Sequence, residues 1–226
     1  MPEGHTIRRL ALEHARVFAG EPLRVSSPQG RFAGAQLVDG RELRGTDAYG
    51  KHLFYVFADD RLVHVHLGLY GSFTLGPLPA PQPRGLVRMR LVGQTHWADL
   101  RGPGACEVVD PAQAAALTAR LGPDPLRADG DPERAWARLH RSRQPVAGLL
   151  MEQTVLAGVG NVYRAEVLFR ARLDPFTPGR EVARERWEAL WADLVRLMRA
   201  GVRTGRIVTT APEHRTRRGP VRAEDA

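Results

Sequence analysis

Cysteine is almost absent: the 226-residue chain has one, Cys106. A single thiol excludes an internal disulfide and cannot build a multi-thiolate zinc site. Lysine is equally scarce. Of 33 basic side chains, 32 are arginine, and the one lysine is Lys51. Two readings stand: a chain-wide arginine bias, or a position where only a compact ammonium serves. No apolar run approaches the length of about 20 residues that a membrane span needs. The opening MPEGHTIRRL is charged from its third residue and has no apolar signal-peptide core. These absences predict a soluble, cytoplasmic protein with no membrane partner. With 43% hydrophobic and 26% charged residues, the chain can bury a core, and its length fits one large domain or two ordinary ones.

The net charge is +8. Such a balance favours a polyanionic partner, nucleic acid above all, over a merely solvated basic face. The excess is uneven: residues 1–110 hold 13 basic and 11 acidic groups, residues 111–226 hold 20 and 14.

Residues 3–18 read as an amphipathic helix, with Ile7, Leu10, Ala11, His14 and Val17 at helical spacing and Gly20 as its stop. From there to about residue 109 the pattern is short, alternating and rich in aromatic and β-branched residues. It predicts roughly eight strands in a two-layer structure, interrupted by the proline-rich loop 77–85. The character changes at Asp110-Pro111. AQAAALTARLG and PERAWARLHR read as helices, VAGLLMEQ and NVYRAEVLFRAR as two helices joined by TVLAGVG. EVARERWEALWADLVRLMRAGV reads as a long helix with Trp187, Leu190, Trp191, Leu194 and Leu197 on a core-facing stripe. The expected fold class is α+β and multidomain. An N-terminal helix with a two-layer β-sandwich spans 1–110, a helical domain 111–205, and an arginine-rich tail 206–226. Nothing in the sequence argues for an oligomer, so a monomer is expected.

Two segments carry chemistry. Removal of Met1 would leave Pro2 as a free secondary amine. An α-amine titrates near 8, against about 10.4 for a lysine side chain, so more of it is a free nucleophile at neutral pH. Attack on a sugar C1′ would give an iminium, and Glu3 could supply or accept protons beside it. Proline and glutamate are equally ordinary first-turn helix residues. In QTVLAGVGNVYRAEVLF, Gly158 and Gly160 make a tight turn and Asn161 opens a helix. Backbone N–H groups there suit phosphate; an ordinary helix–turn–helix hairpin is the plainer reading.

Four segments together, PEG at the start, GKHLFY at 50–55, HLGLYGSF at 66–73 and GVGNVYRAEVLF at 158–169, resemble signatures of the formamidopyrimidine-DNA glycosylase / endonuclease VIII family, in family order and spacing. The resemblance implies a helix on a β-sandwich, then a helical domain with a helix-two-turn-helix motif. It implies base-excision repair of damaged DNA: glycosylase action through a Schiff base on Pro2, with abasic-site lyase activity. It assigns proton transfer at the sugar to Glu3, and phosphate at the lesion to Lys51. Further phosphate contacts go to His66 and Asn161, and Arg101 reaches into the duplex. Leu69 and Tyr70 would fill the gap left by a flipped base, offsetting part of its unstacking cost. Leu69-Tyr70, with Pro103 two residues after Arg101, is similar to the endonuclease VIII branch and implies oxidised pyrimidines as substrates. His64 and His66 share a strand face, where a metal pair is conceivable.

The chain departs from the family at two places. His5 and Thr6 stand where the family often has proline and glutamate, so His5 or water would replace that carboxylate, or the step is slower. The family's four-cysteine zinc finger has no counterpart after the arginine-rich stretch. This looks like truncation and implies weaker duplex binding, with no cofactor in this chain. The competing functions are a non-catalytic damaged-DNA binder and a general helix-two-turn-helix module for DNA or RNA.

Overall fold

Ile7, Ala11, His14 and Phe18, spaced three and four apart, form the buried stripe of helix α1 (Gly4–Phe18) in the computed structural model, which describes residues 2–210. Gly20, at φ +85°, then turns the chain into the sheets. Eight strands follow: β1 (Arg24–Ser26), β2 (Leu43–Tyr49), β3 (His52–Phe57), β4 (Leu62–His66), β5 (Ser72–Pro77), β6 (Val87–Val92), β7 (His96–Arg101) and β8 (Ala105–Val109). They form two antiparallel four-stranded sheets, ordered β1-β6-β7-β5 and β2-β3-β4-β8. Leu53, Tyr55 and Phe57 alternate into a core shared with Val63 and Val65, with Met89, Leu91 and Leu100 of the other sheet, and with α1. Phe54, on the opposite face of β3, is covered by Ala114 of α3 (Pro111–Ala119). Between β1 and β2 lies a four-residue helix, α2 (Ala35–Val38), that the periodicity does not predict.

The helical half begins where Asp110-Pro111 predicts it. The Asp110 carboxylate accepts from the Gln113 backbone N–H, and the Gln113 side chain accepts in return from the Asp110 N–H. Asp131 caps α4 (Pro132–Leu139) in the same position before a proline. Helices α5 (Val146–Met151), α6 (Asn161–Arg170) and α7 (Arg184–Thr204) complete it. Helix α7 starts at Arg184 rather than Glu181, because Gly179–Glu181 closes as a separate 3-10 turn. Trp187, Leu190, Leu194 and Leu197 face the second core as expected, and Trp191 packs at its edge. Among the described residues no helix is long and apolar enough to cross a membrane. Most of the predicted arginine-rich tail, residues 211–226, lies outside the described residues.

The halves are joined at the β2–β3 hairpin. Tyr49 Oη donates to the Gly122 carbonyl (3.0 Å) and the Gly50 N–H to the Asp124 carboxylate (2.8 Å). Arg127 donates to Asp47 (2.9 Å) and to the Ala48 carbonyl (3.3 Å). Asp124 is buried; desolvation raises its pKa, and the Leu126 and Gly50 N–H donors oppose that rise.

His14 is fully buried in the sandwich, with Nδ1 2.7 Å from Tyr55 Oη. Burial lowers its pKa from 6.5 to about 4. Folding therefore favours the neutral ring. Its stabilising contribution is complete above about pH 6.5 and is lost as pH falls toward 4, by about 1.4 kcal/mol per pH unit in that window. Calorimetric melting temperatures should fall between about pH 7 and pH 5, and His14→Gln should make the fall shallower. An identical slope in the variant would show that His14 takes up no proton on unfolding.

Candidate active site

Pro2 is half-buried at the wall of a cavity of about 310 Å³. The other walls come from three distant segments: Lys51, the stretch His66–Leu69, and Gln153. What gathers them is visible one residue along the chain. The Glu3 carboxylate is fully buried and accepts backbone N–H bonds from Gly160 (2.9 Å), Val162 (2.7 Å) and Tyr163 (3.3 Å). It therefore sits on the positive end of α6, where charge-assisted bonds are strongest. The approach needs glycine, since a Cβ on Gly160 would stand 2.5 Å from Glu3 Cδ. Next to it, the Gly4 N–H donates to the Gly158 carbonyl (2.8 Å), and a Cβ on Gly4 would meet Gly158 Cα at 2.9 Å.

This overturns one expectation. The head of α6 does not offer these N–H groups to phosphate, because an internal carboxylate already takes three of them. Asn161 itself is exposed, and its side-chain oxygen accepts from Arg164.

Lys51 occupies the two-residue turn between β2 and β3, whose strands pair through Tyr49 and His52. Burial lowers its pKa, opposed by the nearby Glu3 charge. His66 ends β4, half-buried. Its pKa is lowered by burial, then by His64 and Lys51. His64 and His66 do share a face, yet His64 is bonded to His52 and Glu107 instead. Among the described residues no three His, Cys, Asp or Glu side chains group as a metal site.

Beyond His66 the chain makes the turn Gly68–Tyr70. The Gly71 N–H bonds the Leu67 carbonyl (3.0 Å). Leu69 and Tyr70 stand 61% and 87% exposed, with Leu69 at the cavity mouth. Arg101, at the end of β7, is near this turn but does not project. Its guanidinium rests on the Asp99 carboxylate (3.0 Å) and Thr74 Oγ1 (3.3 Å). Arg90 holds the same carboxylate by two bonds of 2.6 and 2.8 Å. Gly102 then packs on the Tyr70 backbone: a Cβ there would be 3.4 Å from its carbonyl oxygen.

His5 does not stand in for the missing carboxylate. It is buried away from the cavity lining, edge-on to Tyr163 (5.3 Å between centroids) and 3.2 Å from Thr6 Oγ1. Burial lowers its pKa to about 4. Gln153, by contrast, carries no sequence signal and is central. Its amide donates to the Met151 and Val159 carbonyls (2.8 and 2.9 Å) and accepts from the Gly158 N–H (3.0 Å), holding the turn before α6 against the cavity. Cys106 lies on β8 with its thiol raised to about 12 by burial. These residues cannot make a four-thiolate zinc site. A larger groove of about 720 Å³, between α6 and residues 172–176, is lined chiefly by apolar side chains, with Arg164, Arg172 and Asp174 among them.

A helix-backed β-sandwich, followed by helices whose α5–α6 turn closes on the N-terminus, defines the class. Residues 1–106 match the formamidopyrimidine-DNA glycosylase N-terminal domain, and residues 121–213 match the H2TH domain of the same enzymes. The chain belongs to the formamidopyrimidine-DNA glycosylase family. Within it, the chain is 55% identical to endonuclease 8 1 of Mycobacterium tuberculosis over 219 residues, covering 95% of this chain and 82% of that protein. It is 32% identical to the formamidopyrimidine-DNA glycosylase of Thermus thermophilus, over 91% of this chain and 76% of that one. The fold is also that of Lactococcus lactis Fpg solved with DNA containing an abasic site. The TM-score is 0.79 at 21% identity, covering 90% of this chain and 79% of that one.

Gly50 has φ +58°, and a Cβ there would lie 3.1 Å from that of Ala157. Gly50→Ala should cost about 1–3 kcal/mol in urea unfolding. An unchanged midpoint would show that the Lys51 turn relaxes freely.

Proposed function

We propose that this chain is a DNA glycosylase with abasic-site lyase activity, acting on oxidised bases in base-excision repair, pyrimidines favoured. The observation that carries the reading is the cavity where Pro2, Lys51 and His66 meet, with Leu69 at its mouth. After removal of Met1, the Pro2 nitrogen attacks C1′ of the damaged nucleotide. The C1′–base bond breaks and the base departs with its electron pair. The sugar ring opens as O4′ takes a proton, giving the iminium. Loss of a C2′ proton then expels the 3′ phosphate, and water releases Pro2. The iminium gains from a fixed negative charge nearby, and Glu3 supplies one. The Glu3 oxygens already accept three N–H bonds, one on Oε1 and two on Oε2, so the acceptor position left for a proton is on Oε1.

Lys51, His66 and Asn161 are the proposed phosphate ligands. Leu69 and Tyr70 are the wedge, exposed as a wedge must be. Arg101 would enter the duplex only by leaving Asp99. The pyrimidine preference rests on Leu69-Tyr70 and on the likeness to proteins named endonuclease 8. Damaged DNA is the partner, the protein acts as a cytoplasmic monomer, and the chemistry uses no bound cofactor.

Borohydride trapping on DNA with a single abasic site tests this. The wild-type chain should form a covalent adduct. Pro2→Gly should reduce it by at least about a hundredfold, and Lys51→Ala by about tenfold or more. DNA binding without any adduct at high protein concentration would overturn the lyase reading in favour of a non-catalytic binder.

A further inference from the structure

Behind the cavity wall, three polar side chains form a line that the proposed chemistry leaves unused. Glu107 on β8 is half-exposed. His64 on β4 is 3% exposed, with Nδ1 3.0 Å from Glu107 Oε1. His64 Nε2 lies 2.9 Å from Nδ1 of His52, the first residue of β3. His52 directly follows Lys51, pairs across the strands with His66, and packs its ring 5.1 Å from that of His66. The line therefore runs from solvent to the two residues that, with Pro2, shape the cavity.

We infer that Glu107, His64 and His52 form a hydrogen-bonded relay that positions Lys51 and His66 for the reaction, an inference resting on the proposed function. A carboxylate only accepts, so His64 Nδ1 carries the proton of the first bond. In the relay His64 Nε2 then accepts from His52 Nδ1–H, and His52 Nε2 is left bare. Each imidazole thus holds one proton in one tautomer, fixed from the Glu107 end. Burial, and then the cost of placing a positive charge beside His64, His66 and Arg120, holds His52 near a pKa of about 4, consistent with a neutral ring.

A core need not be built this way. Buried polar networks are often replaceable by apolar side chains without loss of stability. His64 already stacks on Phe54, with centroids 5.2 Å apart, so His64→Phe has a packing partner. The three are positioning residues: they act on Lys51 and His66 through His52 and need not touch DNA.

Two measurements on the full chain test the relay. In the first, single-turnover trapping and abasic-DNA affinity are compared for wild type, His64→Phe, Glu107→Ala and Glu107→Gln, each verified as folded by its melting transition. The trapping rate should fall about tenfold in His64→Phe and Glu107→Ala, the scale on which outer partners of an oriented imidazole act in metal sites. Affinity should change less than about twofold, and Glu107→Gln, which keeps an acceptor, should recover most of the rate. Wild-type rates in folded His64→Phe would overturn the relay. In the second, imidazole ¹⁵N resonances should report Nδ1–H tautomers for His64 and His52, with the His64 signal shifting in Glu107→Ala. An Nε2–H tautomer or a doubly protonated ring at His64 would also overturn it. This resonance arm needs no turnover, so a wild-type chain that traps no DNA would sink the proposed function while leaving the relay to be decided here.

Discussion

One carboxylate with no access to water ties the two halves of this fold together. Glu3 closes the head of helix α6 from 157 residues away in sequence. A buried carboxylate without partners would be prohibitive. One that meets three N–H groups at a helix terminus is a lock, because either side alone leaves a charge or a set of donors unsatisfied. The sandwich and the helical half therefore cannot drift apart without exposing both at once. Pro2, adjacent to Glu3, is placed with the accuracy of that lock.

The lock functions only because the surrounding backbone is bare. Gly4, Gly50, Gly158 and Gly160 lie where the N-terminus, the Lys51 turn and the α5–α6 turn converge; a methyl group on Gly4, Gly50 or Gly160 would crowd a neighbour, and Gly158 holds φ +87°. Three chain segments approach one another as closely as strands do, without a sheet to organise them. Gln153 and Asp124 do that work instead, by bonding backbone groups of the two turns. Pro2, Lys51 and His66 thereby share a cavity while arriving on separate elements, a rigid arrangement of the kind a precise reaction requires.

Much of this is legible in the residues alone. The stripe on α1, the alternation through β2–β8, the Asp110-Pro111 start and the apolar ridge of α7 are periodic signals long enough to read. Helix α2 is not, being four residues with no repeat. The motifs mark Pro2, Lys51, His66 and Leu69, and these do line one cavity. Their contacts are another matter. No spacing reveals that Glu3 meets the N–H groups of Gly160 and Val162, so α6 reads as open to phosphate when its head is already occupied. Gln153 precedes a recognisable turn but is itself an ordinary residue. The histidine line depends on the register of β3, β4 and β8, which places His52 opposite His66 and His64 opposite Glu107; a one-residue slip would scatter it.

The Asp99 site, where two arginines share one buried carboxylate, bears on how the surface near Tyr70 can change shape. A lone arginine on a buried aspartate is trapped there, because its departure strands the charge. Here Arg90 grips both oxygens, so Asp99 would stay paired if Arg101 left it. The weaker partner is thus a detachable one. Its resting place would then act as a holster rather than an anchor, since its departure would strand no buried charge in the sheet beneath.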